Sequence, residues 1–165
     1  METITLAMKP YMAAYLYVRY GQRVESFEYD CPLPQPIRLP HGAKLYRTLA
    51  EETLPQPGRL RRETGNVTFV LPHPHGGKNP CIYNYLGRKG VAQLERAVRE
   101  QIKMELFDFM IERKYNEGCA YTSSLFEFLR KYGMEELLSE ESMLRLFYDW
   151  RRKQKIMKIE EESAA

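Results

Sequence analysis

The chain has 165 residues, of which 44% are hydrophobic and 28% charged, and its formal net charge is +3. That balance excludes a globally disordered chain, and the length allows one domain to bury roughly 70% of its unfolded surface without metals or disulfides. It is no polycation either: up to Gly90 twelve Lys/Arg stand against seven Asp/Glu, and from Val91 thirteen stand against fifteen.

Cys31, Cys81 and Cys119 are three, widely spaced, with no CxxC. The start carries no secretory leader pattern, and no apolar run reaches the roughly 18 residues of a membrane span. The expectation is a soluble, cytoplasmic protein with reduced thiols and no membrane partner.

Thr3 to Met8 alternates polar and apolar residues and predicts a strand. Pro10 suits a first helical turn and Gly21 a helix stop, so Tyr11 to Tyr20 is read as a helix, although its tyrosines and Val18 also suit a strand. Gln22 to Gln35 is irregular, because Pro32, Pro34 and Pro36 remove backbone donors within or beside it. Ile37-Arg38-Leu39 predicts a short strand ended by Pro40. Ala43 to Thr53 predicts a helix with Leu45, Leu49 and Ala50 on one face, stopped by Pro55.

Val67 to Leu71 is the clearest strand, β-branched and bounded by Gly65-Asn66 and Pro72. Ile82 to Leu86 is read as another strand that pairs back on it.

From Val91 the period turns helical. Val91, Leu94, Val98, Ile102, Leu106, Phe109 and Met110 step by three or four up to the stop near Asn116-Glu117-Gly118. A further helix begins near Thr122, where Ser124 and Glu127 have capping-box spacing, and ends at Gly133. The last helix starts after Ser139, a good N-cap followed by Glu140 and Glu141. It buries Met143, Leu144, Phe147 and Trp150, projects beyond Trp150, and frays at Glu160.

These elements predict an α+β fold: residues 1–165 as a single domain, with a mixed portion 1–90 and a helical portion 91–160. A small N-terminal sheet with short helices packs against a C-terminal three-helix unit.

Five chemistries compete for this chain. The last two helices and their basic extension suit nucleic acid, since a helix fits the major groove and cations neutralise phosphates. The residues are Arg145, Tyr148, Arg151, Arg152, Lys153 and Lys155, with Lys158 and Trp150 alongside. A second basic set lies in predicted loops: Arg59, Arg61, Arg62, Lys78, Arg88 and Lys89, with Asn66, Tyr83 and Tyr85 near. Solvated charge and helix-dipole stabilisation are the plain alternatives for both sets.

His73 and His75 form an HxH pair near Cys81 and His41, but zinc-site spacing is missing, so no metal or other cofactor is assigned. No GxSxG, HExxH or complete phosphate loop occurs, and Cys119 and Ser123 lack an identifiable base, so no catalytic residue is assigned. The wide apolar faces of the last helices, with Phe126, Leu137, Leu138 and Leu146, suit a homodimer or a helical protein partner. The leading expectation is a non-enzymatic nucleic-acid-binding or regulatory accessory protein, with DNA preferred over RNA. A self-associating interaction module is second.

Overall fold

The computed structural model describes residues 2–21, 35–58, 64–72 and 77–165. The fold is α+β, with short antiparallel strand pairs in the first half and helices in the second. The chain groups into two compact units, Met1–Ile102 and Lys103–Ala165. Among the described residues no helix is long and apolar enough to cross a membrane.

In the first unit, β1 (Thr3–Leu6) pairs antiparallel with β3 (Val67–Val70), Thr3 opposite Val70 and Leu6 opposite Val67. Period two puts Ile4 and Leu6 of β1, and Val67 and Phe69 of β3, into the core. On the other face the opposed Thr5 and Thr68 hydroxyls bond at 2.9 Å. Beyond β1, Asn66 replaces a missing strand neighbour: its Oδ1 accepts from Met8 N and its Nδ2 donates to Met8 O, both at 2.8 Å.

Helix α1 (Pro10–Tyr20) buries Met12, Ala13, Tyr15 and Leu16, a helical spacing that settles the helix-or-strand ambiguity. Helix α2 (Lys44–Glu52) buries Leu45 and Leu49, as the sequence predicts.

The sheet departs from expectation in two ways. Ile37 forms one parallel bridge to Phe69 rather than a strand, with Ile37 N donating to Thr68 O and Val70 N to Ile37 O. Pro36 and Pro40 flank it without N–H groups, so the ladder cannot extend. The segment expected to pair back on β3, now β4 (Tyr83–Tyr85), pairs instead with β2 (Leu54–Pro55), a two-residue strand directly after α2.

Helix α3 (Arg88–Glu117) runs from the first unit into the second. Its predicted face holds: Leu94, Val98, Ile102, Leu106 and Met110 are buried, and Val91 and Phe109 half-buried. Near Gln101, this helix meets α1. The Gln101 amide Nε2 donates to the hydroxyls of buried Tyr15, at 2.9 Å, and of Tyr20, at 2.6 Å. The helix closes at Gly118, whose φ of 67° lets its N–H reach Lys114 O.

In the second unit, α4 (Tyr121–Lys131) buries Ser124, Leu125, Phe128 and Leu129. It begins one residue before the predicted start, and among the described residues no side chain caps it. The capping box therefore does not form: Ser124 lies inside the helix, and Glu127 pairs with Arg113 at 2.9 Å. The C-terminus is a Schellman motif, with Met134 N donating to Leu129 O and Gly133 N to Arg130 O, around Gly133 at φ 64°.

Helix α5 (Glu140–Ala164) has the predicted cap, Ser139 Oγ accepting from Ser142 N at 3.4 Å. Met143 and Phe147 are buried, while Leu144 and Trp150 are half-buried. Phe147 lies 5.4 Å from Phe107 and 4.8 Å from Tyr121, ring centre to ring centre. The helix does not fray at Glu160 but continues to Ala164.

Candidate nucleic-acid interface

The predicted basic residues divide by what already holds them. Arg59, Arg61 and Arg62 lie outside the described residues, as do His73, His75 and Cys31. Lys78 is committed to structure: its ammonium donates to Glu51 O at 2.6 Å and Thr53 O at 2.8 Å, capping the free carbonyls at the end of α2. The same ammonium sits 5.7 Å from the centre of the Tyr83 ring. Asn66 is likewise spent on Met8. Arg88 and Lys89 are exposed in the first turn of α3, where cations oppose the helix dipole.

On α5, Arg145 stands 3.7 Å from Glu141, and Arg152 pairs with Asp149. Both contacts are exposed and contribute little to stability. The first turn carries Glu140 and Glu141, whereas the first residues of a recognition helix meet the base edges. The connection from Tyr132 to Ser139 is also longer than the tight turn of DNA readers. The start of α5 is thus a poor major-groove reader, and the basic chemistry lies at its other end.

There the end of α3 and the second half of α5 border a groove of about 370 Å³. Arg151, Lys155 and Lys158 recur at i, i+4 and i+7 and line one side, so three cations follow each other over about 10 Å of helix. Tyr115, 73% exposed, and half-buried Trp150 supply aromatic surface. Trp150 is anchored 5.0 Å from Phe107, which fixes its indole at the groove.

Tyr121 gathers further charge beside it. Arg151 Cζ lies 5.3 Å and Lys114 Nζ 5.6 Å from the centre of its ring. Tyr148 stands edge-on to the same ring at 6.3 Å and is exposed. Glu161 closes the groove as its acidic member. Lys153 is exposed on a different side of α5 and does not line the groove.

Sequence reasoning reached Arg151, Lys155, Lys158 and Trp150 but missed Lys114, Tyr115 and Tyr121. Their signal was present, a cation and two aromatics around the helix stop at Gly118, but only packing brings them to α5.

Arg113 is held differently. It donates to Cys119 Sγ at 3.3 Å and contacts Glu117 and Glu127. The thiol hydrogen bond first, and the two carboxylates after it, push its basicity up, so it acts as a structural clamp between α3 and α4. Among the described residues no three His, Cys, Asp or Glu side chains cluster as metal ligands do.

Comparison of the chain with protein families, with curated proteins and with solved structures gives no match.

Proposed function

We propose that the chain is a non-enzymatic nucleic-acid-binding accessory protein that works in the reducing cytoplasm, and that it holds a sugar–phosphate strand, DNA in preference to RNA, in the groove between α3 and α5. The observation that carries this reading is the row Arg151, Lys155 and Lys158 beside Tyr115 and Trp150. A basic track with aromatic platforms is what single-stranded nucleic acid needs: cations for the backbone and a π-face for any base. The second unit as a whole carries eleven Lys/Arg against thirteen Asp/Glu, so attraction is local to this track. Binding is accordingly of moderate affinity and steeply weakened by salt.

The test is fluorescence anisotropy with labelled single-stranded DNA, duplex DNA and RNA over a salt series. Three phosphate contacts predict a slope of log K against log salt near about −2 for a single strand. Lys155→Glu/Lys158→Glu alters two exposed side chains outside the core and should abolish binding while leaving the circular dichroism spectrum unchanged. Absence of binding at low salt, or binding indifferent to this double variant, would refute the reading.

A further inference from the structure

Beyond Trp150, α5 continues for about four more turns, and every side chain from Arg152 to its end is exposed. That extension continues a helix anchored by buried Met143 and Phe147, and it leaves side chains available to a partner. Its residues point to one. At 100° per residue, Arg152, Ile156, Ile159 and Ser163 fall on one stripe at i, i+4, i+7 and i+11, on the side away from Phe147. Ile156 is 49% exposed and Ile159 62%. One shoulder of the stripe carries Lys153 and, two turns on, Glu160; the other carries Lys155 and Glu162. On each shoulder the cation precedes the anion.

We propose that a second copy of this chain docks antiparallel along this stripe. In that orientation the pattern is self-complementary, as a two-fold interface requires. Ile156 packs against Ile159 of the second copy, and Ile159 against its Ile156. Arg152 meets Ser163 of the second copy. Lys153 faces Glu160 across the interface and Lys155 faces Glu162, each pair occurring twice by symmetry. A parallel arrangement fails on the same residues, because it stacks Arg152 on Arg152 and Asp149 on Asp149. A non-self partner would not need the cation-then-anion order on both shoulders.

The stripe lies on the opposite side of α5 from the groove, and the two surfaces share Lys155, on the shoulder between them. An overlap of about three turns falls short of the roughly 1,200 Å² of a standard stable interface, and the dimer is weak and reversible.

Sedimentation equilibrium of the full chain, from about 5 to 500 µM at low salt, tests this. The expected result is a monomer–dimer equilibrium with a dissociation constant in the micromolar range. Ile156→Asp/Ile159→Asp should leave a monomer throughout. Lys153→Glu should weaken the dimer about tenfold, and Lys153→Glu/Glu160→Lys should restore it. Lys153 meets an anion only in the antiparallel register, so a dimer untouched by Lys153→Glu overturns the proposal. So does a wild-type monomer at the highest concentration, or a dimer that survives Ile156→Asp/Ile159→Asp. All four positions are solvent-exposed, and circular dichroism of each variant confirms that the fold is kept.

Discussion

Replacing Ser124 by alanine should stabilise the protein, against the usual direction of a core substitution. Ser124 is fully buried in α4, and its hydroxyl meets no hydrogen-bond partner among the described residues. A buried, unsatisfied hydroxyl costs about 1–3 kcal/mol of desolvation that nothing returns. Alanine removes that cost and gains about 0.5 kcal/mol of helix propensity. Against this stands the small void left by one oxygen, about 0.5 kcal/mol on the scale of core cavities. The net expectation is a gain of about 1–2 kcal/mol, equivalent to several degrees in melting temperature for a protein of this size. Urea unfolding followed by circular dichroism measures it, and an unchanged m-value ensures that the gain belongs to the native state. A loss of 1 kcal/mol or more would refute the argument, since it would mean that the hydroxyl is bonded. Ser124→Val provides the control, as its extra bulk should overpack the same site and cost about 1–3 kcal/mol.

Phe147→Ala should destabilise by about 3–5 kcal/mol, because it removes the fully buried ring that contacts Phe107, Tyr121 and Trp150; chemical denaturation would reveal it. Gly65→Ala should destabilise by at least about 2 kcal/mol, since a Cβ there would stand 2.2 Å from Leu6 O, a backbone atom that cannot move without breaking the β1–β3 pairing. Hydrogen exchange at Leu6 and Val67 would report the loss. Glu100 accepts from Lys44 at 3.2 Å and from Arg96 at 3.2 Å, which holds its carboxyl below the usual range, the Lys44 hydrogen bond contributing most. A depressed folded pKa gives stability that is present above about pH 4.3 and lost as pH falls through the folded value. The site is half exposed, so Glu100→Gln should remove no more than about 0.5 kcal/mol at pH 7 and less at pH 3. A loss equal at both pH values would contradict the linkage.

The helices were legible because burial repeats at 3.6 residues wherever one face is covered. Leu94, Val98, Ile102, Leu106 and Met110 display that period without interruption, and the Ser139 cap marked the start of α5. The strand pairing was less legible. Leu54–Pro55 has only two residues, both exposed, so no alternation announces β2, and Ile37 had the right residue type but prolines on both sides. Ser124 illustrates a motif that matches in spacing and fails in place: the helix begins at Tyr121, and the serine falls inside it. For the candidate site, the cations of α5 could be read directly. Whether each was free could not, because Lys78 binds carbonyls about 25 residues upstream and Arg151 leans on a tyrosine thirty positions earlier. Charge type is a property of sequence, and availability is a property of packing.

The pairing of Thr3 with Val70 has a temporal consequence. During synthesis β1 emerges before β3 and waits for more than sixty residues before this partner exists, several seconds at ordinary elongation rates. Helices α4 and α5, by contrast, are neighbours along the chain and collapse as soon as they are made, since local contacts form fastest. β1 therefore waits longer between its own synthesis and that of its partner than α4 or α5 does. Leu6 and Ile4, buried at the end, are exposed on an unpaired strand throughout that interval. The polar Thr3 and Thr5 on the alternate face would keep that nascent strand hydrated until Val67–Val70 arrives.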